Sequence, residues 1–202
     1  NGSSSWVQLG GDIDGEAAND YSGISVSLSA DGTIVAIGAY LNDRGGITSL
    51  YDSGHVRVYQ YDVNKIVAVT DQSSSTFGPI GWNRLGNDID GESGGDRSGN
   101  YVSLSSDGSI VAIGANYNDG NGKDSGHVRV YQYISSTTSW LQLGQDIDGE
   151  AAGDKSGLSV SLSANGTILA IGAHVNSNWS GHVRVYHYTN ASWVKMSTDI
   201  NG

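Results

Sequence analysis

The sequence predicts an all-β chain of tandem four-stranded antiparallel units, and three observations predict it. A phrase beginning with tryptophan recurs almost literally: "WVQLGGDIDGE" from Trp6, "WNRLGNDIDGE" from Trp82, "WLQLGQDIDGE" from Trp140 and a partial "WVKMSTDING" from Trp193. Between these phrases the same short apolar runs return in the same order, "SVSLS" (second time "YVSLS"), "IVAIGA" (third time "ILAIGA") and "HVRVYQY" (third time "HVRVYHY"). The chain also carries 30 glycines and one proline, with its Val, Ile and Tyr lying in short runs between Gly, Asn and Asp clusters, the composition of strands bounded by turns.

Each unit supplies its strands in order. The first is the SVSLS run, with Val26 and Leu28 on one face and small serines on the other, so one face permits close stacking of sheets. "ADG", "SDG" and "ANG" at Asp31, Asp107 and Asn165 follow as tight hairpin turns, because Asp-Gly and Asn-Gly accept the positive φ such turns need. The second strand ends in "IGA" at Gly38, Gly114 and Gly172, where glycine suits close backbone approach. The third places Val56 and Val58 opposite Arg57 and Tyr59, and the W-x-x-L segment is the fourth, outer strand. Four antiparallel strands repeating roughly every 50 to 60 residues make propeller-like blades.

The boundaries that follow are 1–20 for an outer strand and acidic connector of a missing or partner blade, 21–95 for blade 1 with an insertion at 62–81, 96–153 for blade 2, and 154–202 for blade 3. The insertion reads as an extra hairpin or excursion at the blade rim, with a partner-binding loop as the alternative. Three blades fall short of the usual minimum of about four for a closed ring. The expectation is therefore a section of a longer repeat protein, a chain completed by other copies of itself, or a compact array of three.

Composition excludes several function classes. A net charge of −11, from 21 acidic and 10 basic residues, argues against nucleic acid, whose phosphates require a basic footprint. Without cysteine there is no disulfide framework, thiolate nucleophile or cysteine-based zinc site. No stretch is long and apolar enough for membrane insertion, and the chain starts at Asn1 without a signal peptide.

The order G-x-SVSLS, D-G-x-IVAIGA and SG-x-V-x-VY resembles the FG-GAP repeats of integrin-α-like β-propellers over nearly all of 21–200, outside the insertions. The resemblance implies a propeller used in adhesion, with calcium in a loop between the first two strands. That loop here holds one carboxylate per unit, Asn165 in the third, too few for six to eight oxygen ligands.

The acidic phrase is the remaining candidate for calcium. It aligns Asp12, Asp14, Glu16 and Asp20 with Asp88, Asp90, Glu92 and Asp96, and with Asp146, Asp148, Glu150 and Asp154. Alternate carboxylates around a glycine can wrap a hard cation. The same residues also serve as a turn whose first Asp caps backbone N–H groups, or as partners for Arg57, Arg129 and Arg184, which need a counter-charge if buried. His55, His127 and His182 begin the same strand in each unit and read as packing elements. Tyr51, Tyr117 and Trp179 in the variable loops offer flat faces to a glycan or a cell-surface protein. Asn1, Asn165, Asn178 and Asn190 begin glycosylation sequons. With no nucleophile elbow or phosphate loop, and with units so alike, the expectation is a non-enzymatic extracellular structural, adhesion or assembly module. The alternative is a multivalent carbohydrate-binding propeller.

Overall fold

The computed structural model describes residues 5–43 and 50–202, with the side chains of Ser177 and Asn178 also outside the description. Asn1 and the Asn178 side chain therefore lie outside the described residues. Three antiparallel sheets follow one another along the chain. The first is β1 (Ser25–Leu28), β2 (Ile34–Ala39), β3 (His55–Tyr61) and β4 (Trp82–Arg84), hydrogen-bonded in that order. A two-residue strand, β5 (Ile89–Asp90), adds to β3. The second sheet repeats this as β6 (Tyr101–Leu104), β7 (Ile110–Ala115), β8 (His127–Ile134), β9 (Ser139–Gln142) and β10 (Ile147–Asp148). The third does so as β11 (Ser159–Leu162), β12 (Ile168–Ala173), β13 (His182–Thr189), β14 (Ser192–Lys195) and β15 (Ile200–Asn201). One four-residue helical turn, α1 (Asn176–Trp179), interrupts the third unit.

These are the four-stranded blades the repeat predicts, each augmented by part of the acidic phrase. The turn between the first two strands is held by its own side chains. Ser29 Oγ and the Thr33 amide donate to Asp31 at 2.7 and 3.0 Å, and these bonds hold the Asp31 carboxyl down at about 2. Asn165 accepts the corresponding bonds from Ser163, Thr167 N and Thr167 Oγ1, so Asp and Asn interchange because only an acceptor oxygen is needed. At the outer hairpin of the third blade, Asn190 and Ala191 both take positive φ, 49° and 60°, the signature of a tight primed turn.

The blades stack face to face, and the core lies between them. Ile34, Ala36, Val56, Val58 and Ile89 of the first pack against Val102, Leu104, Val111 and Ile113 of the second. Val128, Val130 and Ile147 meet Leu169, Ile171 and Trp193 in the same way. The serine face makes this approach close. Val102 N and Leu104 N donate to Ser25 Oγ and Ser27 Oγ at 3.0 and 2.9 Å, and Leu162 N donates to Ser103 Oγ at 3.0 Å. A Cβ on Gly38 would collide with the Gly99 carbonyl, and one on Gly114 with that of Gly157, which explains the glycine in the first two "IGA" copies.

Trp6–Leu9, expected as the outer strand of a missing or partner blade, form no strand and leave Trp6 fully exposed; an outer strand needs a third strand beside it, and the described residues offer none there. The insertion folds as an irregular hairpin closed by a Val69–Gly78 bridge. Lys65 Nζ ties it down on the Trp82 carbonyl at 2.6 Å, and Phe77 lies beneath the guanidinium groups of Arg84 and Arg57 at 4.9 and 5.7 Å.

Candidate functional site at the blade joints

Each joint is built from one copy of the acidic phrase, and its carboxylates go to different places. The residue two after tryptophan fixes the first aspartate four positions on: Gln8 to Asp12 at 2.7 Å, Arg84 to Asp88 at 2.9 Å and Gln142 to Asp146 at 2.6 Å, with Lys195 paired to Asp199. That aspartate then faces back toward the blade it follows. Arg57 grips Asp88 through Nε and Nη2 at 2.9 and 2.8 Å, and Arg129 grips Asp146 through the same atoms, both at 2.9 Å. The phrase's glutamate faces forward: Glu16 pairs with Arg57 and Glu92 with Arg129.

One phrase thus clasps two blades, its Asp on the arginine behind and its Glu on the arginine ahead. Such bidentate, charge-assisted pairs are among the stronger polar contacts. Burial by itself raises the Asp88 and Asp146 carboxyls, but the arginine bond outweighs it and leaves both below the ordinary aspartate range. Asp20, Asp96 and Asp154 are buried and close the turn that leads into them, accepting from Ala17 N, Ser93 N and Ala151 N three residues earlier. The first two also accept from Asn42 and Asn118 at 2.9 Å. Asp90 and Asp148 lie in the two-residue strands opposite His55 and His127, and Asp14 is exposed.

The side chains that converge therefore come from two successive phrases and the histidine between them. Among the described residues, Glu16, His55 and Asp88, then Glu92, His127 and Asp146, then Glu150, His182 and Asp199 each bring their ligand atoms within 4.8 Å of one another and could hold a metal ion. Nothing in two carboxylates and an imidazole selects calcium, which prefers all-oxygen shells; imidazole suits transition ions better. In the first two clusters the guanidinium already neutralises both carboxylates. The third differs, because Lys195 takes Asp199 and Glu150. There Arg184 keeps only a longer pairing to Glu150 at 3.8 Å and donates to the Asp148 carbonyl and Ser156 Oγ at 2.9 and 3.0 Å, and His182 Nε2 and Arg184 Nε are buried without a hydrogen-bond partner.

Burial pushes His55 and His127 below the ordinary histidine range. Sequence reasoning assigned these histidines to packing; their fixed place at the start of each third strand was the signal that they share one environment. Of the loop aromatics, Tyr51 and Trp179 are exposed, while the Tyr117 ring lies between Arg97 and Lys155 at 4.2 and 4.3 Å.

Repeated four-stranded sheets, stacked and unclosed, define a propeller-type β-protein, part of a larger propeller in form. No protein-family model and no curated protein matches the chain, so the finer resemblance to FG-GAP repeats gains no support from a family. A putative 6-phosphogluconolactonase from Bacteroides uniformis shares the fold, with a TM-score of 0.54 at 12% identity over 87% of this chain and 39% of its own. The periplasmic gluconolactonase of Pseudomonas aeruginosa is similar at 17% identity over 86% of this chain and 44% of its own, with a TM-score of 0.46. The chain thus spans less than half the length of either. These findings correct the expectation of a non-enzymatic chain. A blade array of this kind is the fold of a protein described as a putative 6-phosphogluconolactonase, and the joints bring Glu, His and Asp within reach of one another. No described helix is long and apolar enough to cross a membrane.

Proposed function

We propose that this chain is the blade array of an extracytoplasmic adhesion and assembly module, in which a constant framework displays variable loops. The observation that carries the reading is the contrast within each unit. Strands and joints repeat almost residue for residue, whereas the loop between second and third strands changes in length and content, from "YLNDRGGITSLYDSG" to "NYNDGNGKDSG" to "HVNSNWSG". Loops mounted on a rigid scaffold are where recognition residues concentrate. The acidic surface keeps such a module soluble and favours partners carrying positive charge. The carbohydrate-binding alternative draws no support from the aromatics, since Tyr117 is sandwiched between cations and Tyr51 and Trp179 stand in different blades.

The test is to label intact source cells with a membrane-impermeant reagent and to measure adhesion of bead-coupled chain to those cells. Labelling together with adhesion that falls when the 116–126 loop is exchanged for the 174–181 loop supports the reading. Recovery of the chain only with the cytoplasmic fraction overturns it.

A further inference from the structure

The connection between the third and fourth strands differs from blade to blade, and with it the cleft at each joint. In the first blade it is the insertion 62–81, and in the second the short turn 135–138. The cleft itself is the same construction twice. An acidic phrase forms one wall, and the face of the following third strand that carries Arg and Tyr forms the other. Asp12 and Glu16 stand against Arg57 and Tyr59, and Asp88 and Glu92 against Arg129 and Tyr131.

At the first joint the chain covers this cleft with its own insertion. Gln72 donates its side-chain amide to Glu16 Oε1 at 3.1 Å, and its carbonyl oxygen accepts from Arg84 Nη2 at 2.6 Å. Phe77 lays its ring against the Arg57 and Arg84 guanidinium groups, and its carbonyl accepts from Arg84 N at 2.7 Å. Ala68, Val69 and Pro79 complete a roof over the about 310 Å³ that remains.

The second joint has a whole blade on either side, and its cleft is open. It measures about 480 Å³, with Ser139 and Trp140 also in its lining. The groups that the insertion covers at the first joint are correspondingly freer here. The Arg129 and Glu92 side chains are 15% and 42% exposed, against 6% and 26% for Arg57 and Glu16. Tyr131 is only partly buried, where Tyr59 is buried. Gln142 stands in the place of Arg84 and is engaged by Asp146, so the open cleft offers a ring one guanidinium to rest on.

We propose that the open cleft of the second joint is a docking site for a peptide segment of a partner protein, which sets an aromatic side chain on Arg129 and an N–H donor on Glu92 as the insertion does at the first joint. A guanidinium attracts an aromatic face, and a carboxylate accepts most strongly from a charged donor. Asp88, Asp90 and Glu92 outnumber Arg129 in the lining, so a basic donor binds more tightly than a neutral one. None of the lining residues belongs to the 116–126 loop. The site is therefore separate from the displayed loops, and direct binding by the purified chain stands apart from the adhesion test.

The probe is the insertion's own hairpin, residues 69–78 ("VTDQSSSTFG"), cyclised head to tail where Val69 and Gly78 already pair; closure lowers the ordering cost of binding. In the chain the tether supplies an effective concentration in the millimolar range, so the free peptide is titrated to about 5 mM. Amide chemical shifts of the isotope-labelled full chain are the readout. Saturable shifts centred on Asp88–Glu92 and Ser139–Trp140 are expected, half complete at about 1 mM. Phe77→Ala in the peptide weakens binding about tenfold, and Gln72→Lys in the peptide tightens it severalfold. In the protein, Ser139→Arg fills the cleft and abolishes the shifts, with an unchanged Tm showing that the fold is kept. If that variant does not fold, the peptide pair still decides, because it alters only the probe. No saturable shift at about 5 mM overturns the proposal. So do equal binding of the phenylalanine and alanine peptides, shifts centred elsewhere, and binding that survives in folded Ser139→Arg.

Discussion

Trp140 donates its indole N–H to the carbonyl oxygen of Leu85 across 2.7 Å, tying the outer strand of the second blade to the end of the first. Trp82 does the same to Leu9 at 3.1 Å and Trp193 to Leu143 at 2.8 Å. The tryptophan that marks each repeat is therefore the donor of an interblade bond as well as an apolar filler. Trp140→Phe keeps most of the ring and loses the donor. It is expected to lower stability by about 1 kcal/mol, a fall in Tm of about 2–4 °C for a chain of this size, read by differential scanning calorimetry.

The glycines that end the second strands separate into two kinds. Gly114→Ala drives a methyl into the Gly157 carbonyl of the next blade, and backbone atoms at a packed junction cannot move aside cheaply. A loss of about 3 kcal/mol is expected. Gly172→Ala asks little more than a rotation of the Ser159 hydroxyl and is expected within about 0.5 kcal/mol of wild type. Urea titration of both variants checks the contrast; equal effects would show that the glycine serves its own strand and not the junction.

Arg129 is the hinge pin of the middle joint, with its side chain 15% exposed between Glu92 and Asp146. Removing it in Arg129→Leu leaves two carboxylates facing each other, at an expected cost of about 2–3 kcal/mol, below that of a fully buried pair because both carboxylates retain solvent. The same change frees Glu92, His127 and Asp146 for an ion. Cobalt(II) is expected to raise the Tm of the variant more than that of wild type; an equal response in both would show that the guanidinium does not guard the cluster.

Acid weakens the joints in two stages. His55 and His127 titrate below 6.5 in the folded chain, burial being the main cause. The unfolded chain therefore binds protons first, and stability present above pH 6.5 is lost as pH falls toward the folded values. Asp88 and Asp146 titrate below 3.8, so their contribution is complete above that pH and disappears beneath it. Tm measured from pH 8 to 3 is expected to decline from about 6.5 downward and steepen below about 4, with His55→Gln/His127→Gln flattening the first part.

The strands were legible because they are long enough to alternate: Val56 and Val58 against Arg57 and Tyr59 needed no structure to be assigned to opposite faces. The acidic phrase was legible as a joint and, through its arginine partners, as a counter-charge. The two-residue strand inside it was not, since Ile89 and Asp90 carry no periodicity. Nor could the sequence show that Asp88 and Glu92, four residues apart, serve different arginines, because that depends on how far the next blade turns. The seat of the insertion escaped for a similar reason. Phe77 finds its place only when Arg57 and Arg84 meet above it.

The split clasp has a consequence for how such a gene changes length. A segment copied from any point in one phrase to the same point in the next carries a complete set of half-joints, so insertion or loss of a whole unit by unequal crossing-over at the first two joints leaves each arginine with an aspartate on one side and a glutamate on the other. A chain built this way can gain or shed blades without a compensating mutation, and differences in phrase spacing, such as the extra residues between Tyr61 and Trp82, leave the pairing of Arg57 with Glu16 and Asp88 in place.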